Sequence, residues 1–111
     1  RKMNPDVVQL FRYSAVTFNP HRIHYDRTYA MEVEGYPGLV VHGPFTTQCL
    51  LDLVRDMNPE KSMKIFDMRA RAPLFDTAPF TVCGRPTDEG CEVWAATPEG
   101  TVAMQARVTF A

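Results

Sequence analysis

The hydrophobic period of this chain changes once, from 3.6 to 2, just after Met57. Before the change, Phe45, Cys49, Leu53 and Met57 recur every four residues. Leu50 and Val54 widen that face, while Asp52, Arg55 and Asp56 fall largely elsewhere. Gly43-Pro44 is the strongest helix start in the sequence, because glycine is acceptable at the N-cap and proline is favoured at the first helical position. Asn58-Pro59 stops the helix after about four turns. Beyond it, Phe66, Met68, Ala70 and Ala72 alternate with Asp67, Arg69 and Arg71. Phe80 to Arg85 predicts a second strand, broken by Pro86, and Glu92 to Ala96 a third, around Trp94. Val102, Met104, Ala106, Val108 and Phe110 alternate with Ala103, Gln105, Arg107 and Thr109, the cleanest half-buried pattern in the chain. Turn signals at Glu89-Gly90 and Pro98-Glu99-Gly100 suit an antiparallel meander. A helix this apolar needs burial against the sheet. The expectation is therefore an α+β domain, with a curved antiparallel sheet wrapped around one long central helix.

Upstream of the helix the pattern is weaker. Asp6 to Phe18 is rich in β-branched and aromatic residues and predicts an extended segment, broken by Asn19-Pro20. Asp26 is placed to N-cap a short helix over Arg27 to Glu34, ended by Gly35 and Pro37. The 111 residues suit a single domain, 1–111, and 45% hydrophobic residues suffice for a core. A domain of this length buries only about two-thirds of its unfolded surface, so a partner subunit or domain is expected. Net charge is −1 and no Lys/Arg block stands out, which argues against a nucleic-acid binder. No apolar run approaches the ~18 residues of a membrane span, and no signal-peptide core follows Arg1-Lys2-Met3. Cys49, Cys83 and Cys91 are odd in number and lack a C-x-x-C spacing, so they read as reduced packing residues of a cytoplasmic protein.

The chemistry is concentrated at Asn19 to Asp26, where two histidines, an arginine, an amide and a carboxylate share eight positions. Such a segment supplies a general base and its partners. The apolar run Gly38 to His42, closed by Gly43, supplies backbone N–H groups for a developing oxyanion. Arg22 suits a ligand contact or a pair with Asp26, and Asp26 is favoured as a helix cap. His42 suits a pocket wall or a structural role. A metal set of His21, His24, Asp26 and His42 has weak spacing, and no metal is expected.

Leu10-Phe11-Arg12-Tyr13-Ser14-Ala15-Val16-Thr17-Phe18-Asn19, followed by His21-Arg22-Ile23-His24-Tyr25-Asp26, resembles the hot-dog-fold enoyl-CoA hydratases and dehydratases. Gly35 to Pro44 and Arg69-Ala70-Arg71-Ala72-Pro73-Leu74-Phe75 are similar to the MaoC-like dehydratase subgroup that includes mesaconyl-CoA and itaconyl-CoA hydratases. The resemblance implies reversible addition of water across the 2,3-double bond of an enoyl-CoA. Coenzyme A enters as part of the substrate, with no separate cofactor. It places His24 at the family's histidine, Asn19 at its aspartate and His21 at its asparagine. Asparagine cannot take a proton at neutral pH, so the implied catalytic pair is His24 as base and Asn19 as positioning group. Gly43 is the implied oxyanion donor, and His21, Arg22, His42 and Pro44 the implied substrate contacts. Arg69 and Arg71 are solvated by default, with CoA phosphate contact as the alternative. Hot-dog units pair, as homodimers or as two fused domains, with the acyl pocket between them. A hot-dog thioesterase using Thr46, Thr47, Gln48 or Asp52, and a non-catalytic acyl-CoA-binding domain, are the competing readings.

Overall fold

The computed structural model describes all 111 residues. The chain runs through β1 (Lys2–Met3), α1 (Val7–Val16), a 3-10 turn (Arg22–His24), a π turn (Tyr29–Val33) and α2 (Gly43–Met57). It finishes with β2 (Met63–Ala70), β3 (Phe80–Pro86), β4 (Gly90–Ala96) and β5 (Val102–Phe110). The five strands form one antiparallel sheet in the order β1-β3-β4-β5-β2.

The expected central helix is present. α2 packs on β3, β4 and β5, burying Phe45, Cys49, Leu50 and Val54 against Val82, Val93, Ala106 and Val108. Each such aliphatic side chain stabilises the fold by about 1.5–3 kcal/mol relative to its exposed state. The cap lies one residue earlier than expected. His42 is the N-cap and Gly43 the first helical residue, a difference within the usual ambiguity of helix ends. Asn58 ends the helix as expected. Cys49 and Cys91 are buried, Cys83 is half-buried, and all three are free thiols. No helix is long and apolar enough to cross a membrane.

β3, β4 and β5 form the expected meander, but β2 does not precede β3 in the sheet. It pairs with the far side of β5, with Phe66 opposite Val108, Met68 opposite Ala106 and Ala70 opposite Met104. The alternation read from the sequence is preserved. Its inward face nevertheless stays open, because β2 lies at the sheet edge, past the strands that α2 covers. On that face Met68 is 40% exposed, and Ile65, on the outer face, is 50% exposed.

The expected extended segment over Asp6 to Phe18 is instead helical. Asp6 is the N-cap, and its Oδ1 accepts the amide hydrogen of Gln9 at 2.8 Å. Leu10 and Ser14, four residues apart, turn into the protein. A carboxylate cap and a buried i, i+4 pair outweigh the modest helix penalty of Val7, Val8 and Val16, which stay on exposed sides. The helix gives way to Phe18, 91% exposed and held at φ 55°, from which the chain turns into Asn19-Pro20. Asp26 caps the following short helix as expected, accepting from the Tyr29 amide at 3.1 Å. That helix widens into a π turn over Tyr29–Val33 and stops at Gly35, whose φ of 77° suits a residue without a side chain.

Candidate active site

A three-residue rail, Leu39-Val40-Val41, organises this end of the molecule. The Val40 amide donates to Ile23 O at 2.9 Å on one side, and the Val41 amide to Leu74 O at 2.8 Å on the other. Leu39 exchanges bonds with Asp76: its amide donates to Oδ1, and its carbonyl accepts from the Asp76 amide, both at 3.0 Å. Arg27 grips the same carboxylate. The rail therefore ties the loop that carries His24 to the loop that follows β2.

His24 closes the 3-10 turn beside the rail and is 8% exposed. Its Nδ1 lies 2.7 Å from Val40 O. A carbonyl can only accept, so Nδ1 carries the proton and Nε2 keeps a free lone pair. That is the tautomer a general base needs. Burial lowers the His24 pKa below the usual histidine value. The Val40 bond partly offsets this, and His21 lowers it further.

His42 stacks face to face on His24, with ring centroids 3.9 Å apart and planes 18° from parallel. It is fully buried, with Tyr13 edge-on at 4.8 Å. Its Nε2 meets Ser14 Oγ at 2.7 Å, and its Nδ1 has no partner. A buried lone pair without a donor is less costly than a buried N–H without an acceptor, so Nε2 holds the proton and donates to Ser14. Burial first, and the neighbouring His24 second, push the His42 pKa down to about 4. His42 is thus a neutral plate that fixes the plane of His24.

In front of His24 lies a cavity of about 420 Å³, lined by Val40, Gly43, Thr46, Pro73 and Met104 among others, with Arg71 on its wall. Gly43 is exposed and its amide donates to no protein group. It stands at the positive end of α2, where the first amides of a helix have no internal acceptor. A free imidazole lone pair and a free amide hydrogen therefore border one largely apolar cavity.

The other expected residues are placed as follows. Asn19 Oδ1 accepts from the His21 amide at 3.0 Å and shapes the loop; the group that orients the His24 ring is the Val40 carbonyl. His21 is exposed, its ring 5.7 Å from that of His24 and edge-on to it. Arg22 pairs with Asp26 at 2.9 Å and lies over the Tyr29 ring at 4.2 Å. His42 is enclosed behind His24, and Pro44 is exposed outside the cavity lining. Thr46 is buried and its hydroxyl donates to His42 O at 3.3 Å, while Asp52 is held by Gln48 and Arg55. No carboxylate of this chain lines the cavity. His21, His24, Asp26 and His42 do not converge into a ligand set. Ser14 and the Val40 carbonyl were not legible as partners. They lie 28 and 16 residues from the rings they bond, and the one available signal was a polar residue on the buried face of α1.

The family model described as "Hydroxyacyl-thioester dehydratase type 2" matches residues 1–76. Mesaconyl-C(4)-CoA hydratase of Chloroflexus aurantiacus is 48% identical over 108 residues, which are 97% of this chain and 38% of that protein. The mitochondrial hydroxyacyl-thioester dehydratase type 2 of Schizosaccharomyces pombe is 41% identical over 81 residues, 71% of this chain and 27% of that protein. The chain thus spans well under half the length of these relatives. A chain of the ChsH1-ChsH2 complex from Mycobacterium tuberculosis superposes with a TM-score of 0.86 at 19% identity, covering 100% of this chain and 91% of that one. The fold is the hot-dog fold, a sheet curved around its central helix.

Proposed function

Because the chain belongs to the hydroxyacyl-thioester dehydratase type 2 family, we propose that it catalyses the reversible hydration of 2-enoyl-CoA thioesters to 3-hydroxyacyl-CoA thioesters. The observation that carries this reading is the shared cavity of His24 and Gly43. In the hydration direction, His24 Nε2 takes a proton from water as the water oxygen bonds to C3. The C2–C3 π electrons move toward the thioester, whose oxygen gains enolate charge. The Gly43 amide donates to that oxygen, assisted by the positive end of α2. The proton held on Nε2 then passes to C2. Dehydration is the same sequence reversed. Coenzyme A is part of the substrate, and the steps draw on no separate cofactor.

Asn19 acts one step back from the chemistry, holding the turn that presents His24. The exposed His21 ring stands edge-on to His24. The 48% identity to a mesaconyl-C(4)-CoA hydratase supports a short dicarboxylic acyl group. The open inward face of β2 supports pairing with a second hot-dog unit, either another copy or a further domain, through a continuous sheet. Three free thiols suit the reducing cytoplasm.

The test is hydration of crotonyl-CoA and mesaconyl-CoA by wild type and His24→Ala. Loss of the general base is expected to lower kcat by about 100-fold or more, with an unchanged circular dichroism spectrum. Near-normal turnover by the variant refutes the assignment. Free thiol release in step with substrate loss would identify hydrolysis instead.

A further inference from the structure

Two guanidinium groups beside the His24 cavity lack a carboxylate partner. Arg1, Arg22, Arg27, Arg55, Arg85 and Arg107 each have one within 4.0 Å. Arg12, Arg69 and Arg71 do not, and the last two are neighbours at the end of β2. Unpaired surface cations are ordinary; the position of these two is not. Arg71 lines the cavity that holds His24, and it also lines a second cavity of about 530 Å³ on the outer face of the sheet. Its backbone is pinned, the amide donating to Ala103 O at 2.7 Å, so the side chain extends from a fixed point where the two cavities meet.

The outer cavity has a definite layout. Arg69 of β2 stands opposite Gln105 of β5, which stands opposite Trp94 of β4. All three line the cavity. Strands are spaced by about 4.8 Å, so the Trp94 and Arg69 backbones lie roughly 10 Å apart. Trp94 is half-buried and is the only tryptophan in the chain. The next row of the same face, Asp67, Arg107, Glu92 and Arg85, alternates in sign across the four strands, and Arg85 and Arg107 both pair with Glu92. Of the arginines lining this cavity, Arg69 and Arg71 are the two without a carboxylate within 4.0 Å.

Each part suits one piece of an elongated ligand. Guanidinium forks match phosphate oxygens. An indole face stacks on a purine, and a glutamine amide reads its polar edge. The order across the protein is His24, Arg71, Arg69, Gln105, Trp94. Along a coenzyme A thioester the order is acyl group, pantetheine, diphosphate, adenosine. We propose that the outer face of the sheet seats the nucleotide end of the coenzyme A thioester: Arg71 and Arg69 hold its phosphates and Trp94 stacks its adenine, while the acyl end reaches His24 around the end of β2. This rests on the hydratase reading and gives the nucleotide end of its substrate a place on the protein. A phosphopantetheine arm on a carrier protein has no adenine to stack and would leave this face unused.

Trp94 makes the test direct, since the intrinsic tryptophan fluorescence comes from one residue in the proposed seat. Coenzyme A and adenosine 3′,5′-bisphosphate are expected to quench it saturably, and pantetheine is not. Arg69→Gln and Arg71→Gln are expected to weaken that binding at least about tenfold, with Arg12→Gln as an unaffected control. Absence of quenching by coenzyme A, equal quenching by pantetheine, or equal weakening by Arg12→Gln overturns the proposal. ADP binding as tightly as coenzyme A also overturns it, because the site would then serve free nucleotides. In steady-state kinetics, the KM advantage of crotonyl-CoA over crotonyl-pantetheine should collapse in Arg71→Gln; an unchanged ratio overturns the assignment. The binding measurement is independent of turnover. A protein that binds the nucleotide but hydrates nothing keeps this site and loses the hydratase reading. One that hydrates crotonyl-CoA without quenching does the reverse.

Discussion

His24 is governed by three neighbours, each acting on a different property of the ring. Val40 O fixes which nitrogen bears the proton, His42 fixes the plane, and burial with His21 nearby lowers the pKa. The sign of the pH dependence follows. A general base works only when neutral, so activity falls as pH drops through its folded pKa. That pKa lies below 6.5, so the acid limb of kcat/KM is expected below 6.5, and His21→Ala is expected to move it upward. A pH profile with the acid limb above 6.5 would contradict the environment described. His42, held down near 4, stays neutral across this range and presents no second cation to His24. At this scale the sequence was partly legible. The family resemblance of the early loop singled out His24 and the helix start singled out Gly43, and the structure places both on one cavity. The contacts that set the tautomer and plane of His24 come from residues far along the chain, and no local pattern encodes them.

Elements differ in what a glycine does for them, and two substitutions separate the fold from the chemistry. At Gly90, which opens β4, an added Cβ would overlap the backbone carbonyl of Val108 on β5. Gly90→Ala is expected to cost about 3 kcal/mol of stability, the upper end for an overpacked site, because the clash is with backbone. At Gly43 an added Cβ meets nothing within 4 Å. Gly43→Ala should leave thermal stability unchanged or raise it by roughly 0.5–1 kcal/mol, while lowering kcat/KM because the methyl group intrudes on the substrate. Thermal denaturation beside steady-state assays of both variants checks the contrast. Legibility also varied by element. α2 and the β3–β5 meander announced themselves, because one face of each is buried and the period shows it. α1 was misread, since its β-branched and aromatic residues sit mostly on exposed sides where packing does not select them. The signal that mattered was the capping pair Asp6 and Gln9. β2 showed the right alternation, but alternation cannot tell an edge strand from a central one.

For the molecule as a whole, the open flank of β2 sets the expectation of pairing. Met63, Ile65 and Met68 expose apolar surface along a strand whose outer hydrogen-bonding edge is unoccupied. Sedimentation is expected to show a pair, and the double variant Ile65→Lys, Met68→Lys is expected to shift it to the single unit. An unchanged sedimentation coefficient would place the contact elsewhere. The Leu39-Val40-Val41 rail has a consequence at the same scale. It supplies the acceptor for His24 and runs on through His42 into Gly43, so one short stretch acts as a ruler between base and amide. Changes in the bordering loops can alter which acyl tails are admitted without touching that gauge. Drift in substrate taste among related sequences should therefore gather in the walls, while insertions within the ruler itself should be selected out.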